Sequence, residues 1–446
     1  MLIEKLKDNK TLLFVLFLLS AVAYYLFAYK TTRTDFGQLL ALYSFLFFCF
    51  WGIYSTQKNN FLLLALIAMS FRFIFINSTP ELSQDFYRFI WDGRMILNGI
   101  NPYLFTPEFF IKHGNYPIPQ ALELFNGMGE LNASHYTNYP PIKQLSFTLA
   151  HLFSSESIIA NIISMRVQLI LADIGVLYFG KKLLQQLKLP SPLIFLYLLN
   201  PFIIIELSVN LHYEGLMLFF IIWSIYLLHI EKWKWAAVVL ACAVSVKLIP
   251  LLFLPLLFQR FPIKKLIAFY SLVFFSTFLL FIPFFSMAFV NNYTETVGLW
   301  FQNFEFNASI YYIAREIGYW LTGYNQIAVI GKILPLIVFL IIIAMAIFRR
   351  NYSTQQLISA MLLSLSIYFF FSTTIHPWYI ASLVLLSVFT RYRFPIAWSF
   401  LIILSYSAYQ NETFQENLWL VALQYTIVYT IFFWELFCKK KQENVF

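Results

Sequence analysis

Residues 235–258 read WAAVVLACAVSVKLIPLLFLPLLF, and the way this stretch is counted decides the topology of the chain. It is apolar enough to enter a bilayer, yet Lys247 lies in its middle and Pro250 and Pro255 follow, each lacking a backbone N–H and crowding the preceding turn. These residues predict a broken helix that enters and returns on the same side. Charge placement agrees. Put the N-terminus, with Lys5, Lys7 and Lys10, in the cytoplasm and treat 235–258 as a hairpin. Then Lys58, Lys181, Lys182, Lys188, Lys232, Lys234, Arg260, Lys264, Lys265, Arg349, Arg350, Arg391, Arg393, Lys439, Lys440 and Lys441 also fall inside. Nineteen of the thirty Lys and Arg residues are then cytoplasmic, whereas a full span here would turn the later basic clusters outward.

The rest of the chain has the composition this demands. Of 446 residues, 60% are hydrophobic and 11% charged, too oily for a soluble globule. Apolar segments near 11–29, 36–55, 60–77, 157–180, 190–208, 214–230, 264–285, 326–348, 355–372, 377–390, 394–409 and 418–438 predict about twelve transmembrane helices beside the hairpin. The fold class expected is an all-α, polytopic membrane protein forming one integral domain over 1–446. The net charge of +9 comes from basic residues scattered at the ends of apolar runs, so it marks topology and excludes a nucleic-acid footprint. Cys49, Cys242 and Cys438 lack the spacing of a metal or redox site. The first apolar run, too long for a leader's core, reads as a retained span.

This topology gathers the polar chemistry on the extracytoplasmic side: a first outer loop at 78–141, the turn VNLHYEG, a second large loop at 286–325 and the turn TTIHPWY. In the first loop, SQDFYRFIWDGRMILNGINPY (83–103) predicts a helix over 84–98, ended by Gly99 and the Asn101-Pro102 turn. Its spacing puts Asp85, Arg88 and Asp92 on one face, where a neighbouring cation would keep Asp85 ionised and able to take a proton from a sugar hydroxyl. The plainer reading is an interfacial helix of paired charges with an aromatic belt.

The wider pattern favours chemistry. DFYRFIWDGRxxxxGxNPY (85–103), preceded by FRFIFI, resembles the first-loop signature of polytopic glycosyltransferases of the GT-C fold, especially bacterial relatives of polyprenol- or dolichol-phosphate-mannose-dependent mannosyltransferases. Further motifs fit in order: TNYPPIKQ (137–144), Asn200-Pro201, LHYEGLML (211–218), VKLIPLLFLP (246–255), FNASIYYIAR (306–315) and HPWYIASL (376–383). The resemblance covers about 70–385. Relatives often carry two aspartates where this chain has Gln84 and Asp85, so it implies Asp85 as the base and Asp92 as its support.

Each remaining candidate has two readings. The resemblance makes Tyr139 line the site, while Pro140 and Pro141 can simply start a helix. His212 and Glu214 would hold the acceptor or a donor sugar hydroxyl, or meet headgroups at a turn. Lys247, costly within an apolar segment, would face a phosphate or snorkel to the surface. Asn307 and Arg315, eight apart, can share a helical face, the arginine gripping a phosphate or pairing with Glu316. His376 would donate to phosphate, and Trp378 reads as a headgroup anchor. Arg166 and Asp173 would pair with neighbours and hold the bundle together.

The function implied is transfer of a hexose, mannose by resemblance, from a polyprenyl-phosphate-linked donor to an acceptor hydroxyl outside the cytoplasm, with inversion and Asp85 as general base. Cations at Arg88, Arg94, Lys247 and Arg315, together with His376, would stabilise the leaving phosphate. No metal is required, although a divalent ion is possible if Asp92 or Glu214 joins Asp85. The partners expected are the lipid-linked donor, membrane lipids and an acceptor that is a glycan, glycolipid or protein, with no nucleic acid. The location expected is a bacterial inner membrane with both termini cytoplasmic. The alternative classes are a lipid-linked glycan flippase or other transporter, which commonly shows repeated halves, and an O-antigen-type ligase.

Overall fold

Every apolar segment forms helix. The computed structural model describes residues 10–438 except Ser155, Asn303, Glu412 and Thr413. The terminal lysines Lys5, Lys7, Lys439, Lys440 and Lys441 lie outside the described residues. Seven helices there are long and apolar enough to cross a membrane: α1 (Lys10–Tyr29), α2 (Phe36–Gln57), α8 (Ile158–Gln186), α13 (Ile263–Phe284), α16 (Ile327–Phe348), α17 (Thr354–Phe371) and α20 (Leu418–Phe437). The numbering leaves room for α3 (Phe61–Phe73), α9 (Ser191–Leu198), α10 (Pro201–Val209), α11 (Glu214–His229), α12 (Trp233–Val244), α18 (Pro377–Ser387) and α19 (Phe394–Tyr409). Of the twelve crossings expected, one is the α9–α10 pair, bent by 53°, and four are the short helices α3, α11, α18 and α19. At 1.5 Å per residue the 13 residues of α3 span only about 20 Å. Outside these, α4 (Asp85–Leu97), α5 (Pro107–Lys112), α6 (Ala121–Ala133) and α7 (Pro141–Leu152) build the first loop, and α14 (Met287–Gln302) and α15 (Ile310–Thr322) the second. No strand forms among the described residues; a single bridge joins Phe306 to Thr374.

The hairpin is present. At its entry Lys232 N–H donates to the Leu227 carbonyl (2.9 Å), at the C-terminal end of α11. The chain then climbs through α12, turns at Ser245–Lys247, and descends through 3₁₀ turns at Ile249–Phe253 and Pro255–Leu257. On leaving, Arg260 Nη2 donates to the Leu228 carbonyl (3.2 Å), at the same end of α11. Lys247 occupies the tip, at the opposite end beside Glu214. The two prolines explain the broken descent, because neither can supply an α-helical N–H.

Buried charges fix the segments that carry the site. The Arg72 Nε pairs with Asp173 Oδ2 (2.6 Å), joining α3 to α8. Arg166, fully buried, donates to the carbonyls of Ile76 (2.8 Å), Ser78 (2.9 Å), Ser208 (2.9 Å) and Val209 (3.0 Å). One guanidinium thus ties the strand of chain leading to Asp85 to the one leading to His212. The expectation that Arg166 and Asp173 hold the bundle together is met. Asn200 caps the break after α9, accepting from Phe202 N–H (3.0 Å) and donating to Ser399 Oγ (2.9 Å). Pro201 suits the first position of α10, where its missing N–H is not needed.

Helix α4 runs from Asp85 to Leu97, within one residue of the expected bounds at each end, and Gly99 follows at φ +71°, the left-handed conformation that ends helices. A second glycine, Gly93, lets α4 lie directly on α7: a Cβ there would come 2.6 Å from the Phe147 carbonyl oxygen.

Candidate active site

The first loop, the hairpin tip and the chain before α18 meet around a cavity of about 650 Å³, the size of a small-ligand site. Six of the eleven residues singled out in the sequence line it: Asp85, Tyr139, His212, Glu214, Lys247 and His376.

Asp85 is the first residue of α4, and Asn132 Nδ2 from α6 approaches its Oδ1 at 3.4 Å. Burial raises the Asp85 pKa; Lys143 and Asn132 draw it down, Glu214 adds to the rise and Lys247 opposes it. The expectation that Arg88 keeps Asp85 ionised is therefore corrected. Arg88 turns away, its Nε to Asp92 Oδ1 (2.9 Å) and its Nη1 to the carbonyls of Asn132 and His135. A carboxylate raised by burial is a stronger base than one in water, which suits proton abstraction.

Opposite charges enter from two other elements. Pro140 and Pro141 do start a helix, α7, and they also bring Tyr139 and Lys143 to the cavity. The Ile142 and Lys143 N–H groups both donate to the Ser245 carbonyl at the hairpin tip (2.9 and 3.3 Å). That contact sets Lys143 and Lys247 in one wall. Lys247 Nζ bonds to Glu214 Oε1 and lies 3.9 Å from the Tyr379 ring centroid. Leu211, buried and held at φ +60°, makes the tight turn that presents His212 and Glu214, a conformation a leucine rarely adopts.

A three-ring stack forms another wall. His212 and Trp378 stack at 3.7 Å between centroids, and Trp378 and His376 at 4.6 Å with planes 1° apart. Trp378, expected as a headgroup anchor, therefore lines the cavity. Burial, with Lys247 adding its charge, holds the His376 pKa down to about 3, and His212 is likewise lowered. His376 is therefore neutral and offers the cavity an uncharged N–H donor. Beyond the stack, Leu248, Ile249, Leu251, Leu252 and Val297 make an apolar side to the same cavity.

Five predicted residues do not line it. Asp92 is fully buried, its oxygens taken by Arg88 and by Gln144 Nε2 (2.9 Å). Arg94 donates to the carbonyls of Pro119 (2.6 Å) and Glu156 (2.6 Å) and to Gln120 Oε1 (3.0 Å). These three charged groups brace the first loop. Asn307 precedes α15, so it shares no helical face with Arg315; its N–H donates to Glu416 Oε1 (2.6 Å), and the adjacent Phe306 carbonyl accepts from Ile375 N–H (2.8 Å), just before His376. Arg315 pairs with Glu305 (2.6 Å) and Glu316 (3.0 Å), as its plainer reading had it. Nothing local in the sequence singled out Lys143, Arg33 or the rings of Tyr368, Tyr406 and Tyr409, all on the cavity. Lys143 stood inside a motif quoted for its prolines.

Among the described residues no group of three His, Cys, Asp or Glu side chains is placed to hold a metal ion. A second opening, of about 690 Å³ between α2, α9 and α19, is walled by Phe47, Phe50, Trp51, Tyr54 and Phe400, with Arg393 its charged lining residue. No acid stands among its lining residues, which leaves the first cavity as the candidate site.

Residues 42–260 match the model of the MptA_B family, described as alpha-(1->6)-mannopyranosyltransferase, N-terminal domain. No curated protein matches the chain. The matched stretch carries Asp85, Tyr139, His212, Glu214 and Lys247 and ends before His376. It supports a GT-C-like mannosyltransferase, the family that the motifs resemble, on a bundle of membrane-spanning helices.

Proposed function

We propose that this membrane protein is a mannosyltransferase that takes its mannosyl group from a polyprenyl-phosphate-linked donor and passes it to an acceptor hydroxyl on the extracytoplasmic face, inverting the anomeric carbon with Asp85 as general base. One observation carries the reading: a carboxylate raised by burial shares a cavity with two lysines and an apolar wall. Acid, cation and grease answer the three parts of the reaction, the acceptor hydroxyl, the phosphate and the isoprenoid tail.

In this scheme Asp85 takes the proton from the acceptor hydroxyl as its oxygen attacks the anomeric carbon. The bond from that carbon to the phosphate oxygen breaks, and the polyprenyl phosphate leaves with the electron pair. One displacement inverts the centre. A lysine charge near the departing oxygen stabilises the transition state. The His212–Trp378–His376 stack offers ring faces and neutral N–H donors to the sugar. Leu248, Ile249, Leu251 and Leu252 suit the first isoprene units of the tail. No step of the scheme draws on a metal.

The charges at the far end support this side. Arg260 lies at the C-terminal end of α11 while Glu214 opens that helix in the cavity, and Lys181 stands over the Phe61 ring at the start of α3, whose other end leads to Asp85. Basic span ends favour the cytoplasm, which supports a cavity on the outer side and two cytoplasmic termini, in a bacterial inner membrane. Nucleotide sugars stay in the cytoplasm, so an outward site needs a donor already carried across on a lipid.

The test is transfer from synthetic short-chain polyprenyl-phosphate mannose and glucose, in membranes holding matched amounts of the native protein or Asp85→Asn. Transfer from the mannose donor that vanishes in the variant is the expected result. Equal transfer by both proteins removes Asp85 as the base, and a native protein inactive with either donor overturns the donor class and favours a flippase.

A further inference from the structure

We infer that Lys143 is the residue that binds the phosphate of the lipid-linked donor, and that Lys247, although nearer the middle of an apolar segment, is not. The inference rests on the donor class proposed above and names the cation within it. Three cationic side chains line the cavity: Arg33, Lys143 and Lys247. Their surroundings differ. Lys247 is neutralised where it stands, by Glu214. Arg33, in the loop between α1 and α2, is only partly buried and lies over the Tyr409 ring at 4.3 Å.

Among the described residues Lys143 forms no ion pair; Glu214, Asp85 and Asp92 act on its charge from a distance. Its Nζ is 4.0 Å from the Tyr139 ring centroid, 4.7 Å from Phe89, and 5.9 Å from both Phe147 and Tyr213, and among the described residues no protein oxygen accepts a hydrogen bond from it. The residue is 9% exposed. Ring faces attract an ammonium but replace only part of its hydration. A cation held this way is poised for an anionic ligand. The wall behind it is rigid, because Phe89 and Phe147 stack at 4.5 Å and the Lys143 backbone is tied to Ser245.

The charges around the ammonium make its protonation matter. Burial lowers the Lys143 pKa to about 8; Glu214, Asp85 and Asp92 raise it and Lys247 lowers it further. It is charged at neutral pH and loses its proton just above it. Phosphate binding through Lys143 therefore weakens as the pH rises through about 8.

The experiment compares binding of a ten-carbon polyprenyl phosphate with that of the same polyprenol, which lacks the phosphate, to the purified full-length protein in detergent. The ratio of the two affinities reads the phosphate contact alone, since a general packing defect weakens both. The native protein should prefer the phosphate, and Lys143→Met should lose roughly tenfold or more of that preference, the worth of one charge-assisted hydrogen bond. Lys143→Arg should keep most of it. The paired variant Lys247→Met/Glu214→Gln, which removes both charges together, should keep the native ratio. A Lys143→Met protein with the native ratio, or a paired variant that loses it, overturns the assignment while leaving the donor class standing. A native protein with no preference for phosphate overturns the donor class and this assignment with it.

Discussion

The ammonium of Lys247 bonds to the carboxylate of Glu214, and the two side chains are 26% and 4% exposed. Each is the other's main compensation. Removing one partner of such a pair leaves a buried charge, at a cost of about 3 kcal/mol or more, whereas removing both is often close to neutral. Lys247→Met should therefore lower the thermal midpoint in detergent sharply, and Lys247→Met/Glu214→Gln should recover most of it. Equal losses from the single and the double variant would show that the pair does not act as a unit.

Asp85 should trade stability for reactivity. Its pKa is raised by burial, so the folded protein holds this proton more tightly than the unfolded chain does. Stability thus falls as pH rises from the ordinary carboxylate range through the folded-state value. At neutral pH the ionised group is a burden on the fold, and Asp85→Asn should raise the melting temperature while cutting turnover by roughly 10²- to 10⁴-fold. In the native protein kcat/KM should rise with pH as Asp85 ionises, at a higher pH than for a solvent-exposed carboxylate, and should fall again near 8 as Lys143 deprotonates. A melting curve that drops in the variant would contradict the burial argument.

Much of this arrangement was legible in the sequence where the cause is local. Lys247 with Pro250 and Pro255 announced the hairpin, and the Gly99 turn announced the end of α4, because chain stereochemistry acts within a few residues. The face of α4 was legible too, but not what lies opposite it. Arg88 and Asp92, four apart, close on each other, and Arg94 spends its donors on carbonyls from residues 119 and 156. The same limit applies to Asn307 and Arg315, whose carboxylate partners include Glu416 and Glu305. Lys143 was hidden for a related reason: its cage draws rings from α4, α7 and the turn before α11. No periodicity brings those three together.

Arg166 should be irreplaceable by lysine. Its guanidinium reaches four carbonyls on two segments, those leading to Asp85 and to His212. An ammonium has three donors and no planar fork, so it cannot span them. Each buried carbonyl left without a donor costs about 1–3 kcal/mol. Both Arg166→Lys and Arg166→Met should therefore lose several kcal/mol and yield little folded protein in the membrane, as measured by the detergent-extractable, monodisperse fraction. A lysine variant that is as stable as the native protein would mean that these carbonyls find other donors.

Gly93 tests how closely the base is held. It lies on the face of α4 that meets α7, and a methyl group there would come 2.6 Å from the Phe147 carbonyl oxygen and 2.7 Å from its carbon, both backbone atoms that cannot swing aside. Gly93→Ala should force the two helices apart, at a cost of about 1–3 kcal/mol. Because α4 carries Asp85 and α7 carries Lys143, the same shift separates base from cation. Turnover should then fall further than the loss of stability explains, even at a temperature where the variant remains folded. Substituting Gly298, where a Cβ meets nothing within 4 Å, is the matched control and should change neither quantity by as much. Native turnover in a folded Gly93→Ala protein would show that the α4–α7 spacing does not set the distance on which transfer depends.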